Sequence, residues 1–117
     1  QSQNTDKKLA RLQSAIKAEA KRVQHGAKTH KNFLEWMDGY YARLSESMGE
    51  LVEELGGDAS MAMDHCNESR RQLLEAADVA KNQDELVAVI GELVSSWESR
   101  ATKILAEIGA MQCNLVA

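Results

Sequence analysis

Proline is absent from this 117-residue sequence, and glycine occurs only seven times. Proline breaks helices and glycine weakens them, so a chain this poor in both can carry long uninterrupted helices. Cysteine occurs twice, at Cys66 and Cys113. Two are too few for a disulfide framework and fit no zinc-finger spacing, so a reducing, cytoplasmic location is the expectation. Long apolar runs are also missing. The longest fall well short of the roughly 20 residues needed to cross a bilayer, and the opening "QSQNTDKKLARLQ" has no apolar signal core. Aromatic residues make up only 4% of the chain, which leaves most of any core to aliphatic side chains and Met.

What the sequence does contain is helix formers. Ala, Leu, Glu, Lys, Gln and Met recur throughout, with 44% hydrophobic residues, enough for one core in a chain of this length. The composition predicts an all-α protein, a single helical domain over residues 1–117.

Apolar spacing suggests an antiparallel bundle of three helices, the first long and coiled-coil-like. Leu9, Ile16, Val23, His30, Met37, Leu44 and Leu51 recur every seven residues, and Ala20, Ala27, Leu34, Tyr41, Met48 and Leu55 form an adjacent row. Two such rows make a heptad seam. The phase does not slip across Gly26, which sits beside the seam, so the pattern predicts one helix over 6–55; a bend at Gly26 would give a four-helix bundle instead. "GGD" at 56–58 then supplies a glycine stop and an Asp cap. A second helix is expected over 59–80. Asn82, with Glu85 three residues on, forms a capping box opening a third helix over 83–113. That helix carries Val87, Ile90, Val94, Trp97, Ala101, Ile104, Ile108 and Met111 in one seam.

Charge is divided along the chain. Residues 6–31 hold eight Lys or Arg against Asp6 and Glu19, a net of +6. The remainder holds six basic and sixteen acidic residues, a net of −10. The first helix therefore reads as a basic arm on an acidic bundle. At 1.5 Å per residue, the two later helices are too short to cover its N-terminal half. The apolar row of Leu9, Ile16 and Val23 then calls for another helix, a surface, or a bend that returns it to its own chain. A homodimer through the arm is the expectation, with His30 as a polar seam residue setting register. Ion pairs at the rim, between the basic arm and the acidic body, would set orientation, and a surface binder would instead gain from Lys17, Lys21 and Arg22.

No catalytic constellation is legible, and neither a phosphate loop nor a cofactor motif is present. His25 and His30, five apart, fall on different helix faces, and neither has an i,i+4 partner for zinc. The sequence thus predicts no catalytic, cofactor or metal residues. The interaction residues it points to are Leu9, Ile16, Val23, His30, Lys17, Lys21 and Arg22. Nucleic acid is not the expected partner, because the arm lacks interleaved aromatics and is tied to an acidic body. Trp97 and Tyr41 read as core, and the register places Cys66 near Met48 and Trp97, too far from Cys113 for a bridge.

Residues 73–111, "LLEAADVAKNQDELVAVIGELVSSWESRATKILAEIGAM", resemble phasins, the helical proteins that coat polyhydroxyalkanoate granules. The likeness consists of an Ala-rich helix, a short polar hinge before an "EL" start, and a long amphipathic helix. It implies a non-enzymatic protein that lays helices on an apolar surface and self-associates. Peripheral contact with a granule or an anionic membrane is the alternative to helix-to-helix assembly, one that would use the basic amphipathic helix.

Overall fold

The computed structural model describes residues 3–116, with side-chain surroundings for residues 3–111. Four helices follow one another: α1 (Gln3–Thr29), α2 (Phe33–Glu54), α3 (Ser60–Val79) and α4 (Gln83–Val116). No strand occurs among the described residues. Short turns make successive helices antiparallel. α1 packs against α2 and α4, and α3 packs against the same two, which closes an up-down-up-down bundle. The rod measures 54 × 21 × 20 Å.

The three-helix count is therefore corrected to four. The long helix expected over 6–55 ends at Thr29, and the chain reverses through His30, Lys31 and Asn32. Gly26 itself stays inside α1, so the break lies just beyond it. A capping pair explains the position. Asn32 Oδ1 accepts the Glu35 backbone N–H at 3.3 Å, and Asn32 Nδ2 donates to Glu35 Oε2 at 2.9 Å. The same motif, Lys-Asn-x-x-Glu, opens α4. There the Glu85 N–H donates to Asn82 Oδ1 at 2.9 Å, while Glu85 Oε2 accepts from the Lys81 N–H at 3.1 Å.

Both of these turns lie at one end of the rod, where they are tied together. Gln83 Nε2 donates to the Ala27 and Lys28 carbonyls at 2.7 and 2.8 Å, two of the acceptors that the end of α1 leaves unsatisfied. At the opposite end Gly56 takes φ 90°. The Gly57 N–H donates to the Val52 carbonyl and the Gly56 N–H to the Glu53 carbonyl, the paired bonds of a Schellman stop. Asp58 then accepts the Ser60 N–H at 2.9 Å and starts α3.

Folding back changes the fate of the apolar row on α1. Leu12 and Val23 are wholly buried, Ile16 and Ala27 nearly so, and Leu9 half-buried, all within the core of their own chain. The reversal leaves no long uncovered apolar arm, so the apolar argument for an arm-to-arm dimer no longer holds. His30, expected in the seam, is exposed at the turn and stacks on Trp36 with ring centroids 5.0 Å apart. Trp97 is buried with Cys66 and Met48 in the same core, as the register predicts. The Cys113 side chain lies outside the described residues, and with it the expectation about a bridge.

Gly26 answers to packing. A Cβ there would sit 2.3 Å from Trp36 Cζ3, so only glycine lets the indole of α2 lie against α1 one turn before the reversal. Gly109, by contrast, has nothing within 4 Å of such a Cβ. Both positions would gain about 1 kcal/mol of helix propensity from Ala, but at Gly26 overpacking costs roughly 1–3 kcal/mol. We expect Gly109→Ala to raise the urea midpoint and Gly26→Ala to lower it, with a net loss of stability of up to about 2 kcal/mol. Equal stabilisation by both would show that Trp36 moves aside freely.

Candidate functional site

One acidic residue of α1 points inward. Glu19 follows Ile16 and precedes Val23 on the buried face, and it is 2% exposed. An isolated carboxylate cannot stay charged in such a place without donors. Two helices supply them. Tyr41 of α2 donates its hydroxyl to Oε2 at 2.7 Å, and His65 Nε2 of α3 lies 2.6 Å from Oε1. Ser69, one turn after His65 and fully buried, also helps hold the carboxylate charged. α4 reaches the same cluster through Arg100, whose guanidinium donates to Ser69 Oγ at 3.0 Å, to the His65 carbonyl at 2.8 Å and to Gln72 Oε1 at 3.3 Å. Trp97 of α4 donates its indole N–H to Gln72 Oε1 at 2.7 Å.

The electrostatics follow from this cage. Burial alone would push the Glu19 carboxyl up, but the hydrogen bond and charge of His65, with the Tyr41 and Ser69 donors, outweigh it and hold the group below its ordinary range. Glu19 is thus the acceptor, and His65 carries a proton on Nε2. Its Nδ1 is buried with no hydrogen-bond partner. Burial, reinforced by the Glu19 charge, raises the Tyr41 hydroxyl and keeps it a donor. The same two causes push the Cys66 thiol up to about 12, so this buried sulfur is not a nucleophile. The Glu19 and His65 side chains are 2% and 1% exposed, and His65 and Arg100 also border a groove of about 650 Å³ between α3 and α4. The cluster's chemistry is to hold charge in the core.

The opposite face of α1 carries the residues the sequence singles out. Lys17, Lys21 and Arg22 are exposed there, with Lys7, Arg11 and Lys28 on the same side of the helix. Among the described residues none of these six makes an ion pair or side-chain hydrogen bond. Three other basic residues do find acidic partners: Lys8 of α1 meets Glu54 at 3.5 Å, Arg70 meets Asp38 at 2.6 Å, and Arg71 meets Glu68 and Glu75, each at 2.6 Å. The predicted interaction set thus splits. Its cations share one outer surface, while Leu9, Ile16 and Val23 face the core and His30 caps the aromatic stack at the turn.

The buried cluster was not anticipated from sequence, although a signal for it exists. Glu19 stands in the row Leu12, Glu19, Gly26, Phe33 and Tyr40, spaced by seven and buried at every position. A lone acid in such a row marks a caged carboxylate. Among the described residues no group of three His, Cys, Asp or Glu side chains could hold a metal ion, and no helix is long and apolar enough to cross a membrane.

Removing one donor tests the cage. Tyr41→Phe deletes a hydrogen bond to a charged acceptor and should cost about 1.5–3 kcal/mol in chemical unfolding. Glu19→Gln removes the charged acceptor of the Tyr41 and His65 hydrogen bonds and should cost at least about 1.5–3 kcal/mol at neutral pH. The pH dependence has a fixed sign. A carboxyl held below its unfolded value contributes stability above an unfolded pKa of about 4.3 and loses it as pH falls through the folded value. The wild-type protein should lose stability in acid more steeply than Glu19→Gln, and parallel acid limbs would refute the cage.

Comparison with protein-family models, with curated proteins and with solved structures finds no match to this chain.

Proposed function

We propose that this protein is a non-catalytic helical association module, an assembly or adaptor domain whose contact surface is the basic outer face of α1. One observation carries the reading: the six exposed, unpaired cations of that face. From Lys7 to Lys28 they extend over about 32 Å at the helical rise, and Asp6 is the only acid exposed on the helix. The rest of the chain carries the net −10, and two of its bases, Arg70 and Arg71, are taken up by local ion pairs. A second copy is the partner at hand. Its acidic helices complement the basic face, and two-fold pairing is the commonest way for like chains to meet.

Charge, not apolar burial, would drive this contact, since Ile16 and Val23 are engaged within their own chain. Exposed charges are screened strongly once the Debye length falls to about 3 Å near 1 M salt. We expect light scattering to give a dimer mass at low ionic strength and a monomer mass at high salt. Replacing Lys17, Lys21 and Lys28 together with Glu should give a folded monomer at both. A wild-type mass that is monomeric at low salt and high micromolar concentration would refute self-association.

The same face supports a second reading, contact with an anionic surface as in a phasin-like or peripheral membrane protein. Each Lys or Arg near an anionic bilayer contributes about 1 kcal/mol. Co-sedimentation with anionic vesicles by the monomer, abolished in the Glu variant, would favour it over self-assembly.

A further inference from the structure

A groove of about 500 Å³ runs between α1 and α2, on the outer side of the bundle. Its floor is apolar, formed by Ala15, Ala18 and Leu44, and its rim carries Arg22, Arg43, Ser14 and Ser47, with the edge of Tyr40 between them. Two properties set it apart. No acidic side chain lines it, whereas the groove of about 650 Å³ between α3 and α4 mixes Arg71, Arg100 and Lys103 with Asp64, Glu68 and Glu107. Neither Arg22 nor Arg43 has a hydrogen bond or ion pair among the described residues, although the chain has more acids than bases. Gly39 leaves room for the second of them: a Cβ there would lie 3.2 Å from Arg43 Nη1.

We propose that this groove binds a phosphate monoester with an organic tail. Guanidinium groups present planar forks of N–H donors that match phosphate oxygens. Arginines from two helices line the groove together, with the Ser14 hydroxyl beside them and Ser47 Oγ donating to the Leu44 carbonyl at 3.4 Å; two guanidiniums suit a dianionic tetrahedral head, and the Ala and Leu floor suits the apolar part of the ester. The groove volume lies within the range usual for small-molecule sites. Tyr40 also provides a reporter, because its ring stacks on Trp36 at 5.4 Å with an interplanar angle of 3°.

Phenyl phosphate is the probe. Titrated into the full chain at constant ionic strength and followed by calorimetry and tryptophan fluorescence, it should bind saturably at one site. Arg22→Gln and Arg43→Gln should each weaken binding about 10-fold or more, the loss expected for one charge-assisted contact. Lys17→Gln with Lys21→Gln, on the same helix but outside the groove, should change it less than about 3-fold, a limit set by screening of exposed charge. Circular dichroism of each variant confirms that the fold is retained.

A second arm separates the sources of the ester. Retention on phosphatidylcholine vesicles containing phosphatidic acid, displaced by phenyl phosphate, assigns it to a lipid headgroup. Binding of phenyl phosphate without vesicle retention assigns it to a free metabolite, and both results uphold the site. Absence of saturable phenyl phosphate binding overturns it, as does vesicle binding that phenyl phosphate does not displace. Equal losses in the lysine and arginine variants overturn it too, since they would point to the charge field of the whole helix. The association reading shares only Arg22 with the groove and is tested separately, by the mass of the Lys17, Lys21 and Lys28 variant, so failure of the groove leaves it to that measurement.

Discussion

The bundle is organised around a single buried negative charge. A carboxylate with no donors in an apolar core would give up its ionisation or unfold its surroundings. Glu19 of α1 avoids both because Tyr41 of α2 and His65 and Ser69 of α3 converge on it, with Arg100 of α4 completing the shell through Ser69. Each of those side chains reaches the carboxylate only if its helix holds a particular rotation and register. Apolar packing alone tolerates rearrangement among similar volumes. The polar cluster therefore selects one arrangement of four helices from the several that Leu, Met and Ala would allow.

This constraint also explains how α1 can be basic and still lie within an acidic molecule. Its inner face is devoted to Leu12, Ile16, Glu19 and Val23, while its cations point outward. Elsewhere local pairs absorb positive charge: Arg71 bridges Glu68 and Glu75 on α3, and Arg70 reaches Asp38 on α2. Exposed pairs of that kind add little stability, about 0–1 kcal/mol each. Their effect is on the surface field. They leave α1 and its edge with α2 as a region where positive potential is not cancelled by a neighbouring side chain.

Helix content, the stop at Gly56, the start at Asn82 and the burial of Trp97 were all legible in the sequence, because each depends on local chemistry or on a periodic apolar face. The reversal after Thr29 was not, for a physical reason. A three-residue turn at 30–32 leaves the seven-residue phase intact, so residues on either side of it fall into register as though one helix continued. His30 occupies a seam position by count and a turn by structure. The informative signal was chemical. Lys31-Asn32-Phe33-Leu34-Glu35 has the same pattern as Lys81-Asn82-Gln83-Asp84-Glu85, and in both the Asn Oδ1 caps the helix by accepting the Glu backbone N–H. Periodicity reports which face is buried; capping chemistry reports where the chain turns.

Glu19 escaped notice for a related cause. Counted among the charges of a basic segment it looks like a solvated exception, yet its row passes through Leu12, Gly26, Phe33 and Tyr40, all buried. Two non-apolar residues in that row hide it from a search for hydrophobic repeats, and both are there for packing. Gly26 clears space for Trp36, and Glu19 takes the hydroxyl of Tyr41. Trp36 stacks on Tyr40, and Tyr40 meets Tyr41 edge-on at 5.1 Å. One aromatic run thus connects the turn after α1, the outer groove and the buried carboxylate. A substitution at Gly26 bears on all three, since the indole it displaces joins His30 at the turn to Tyr40 in that run.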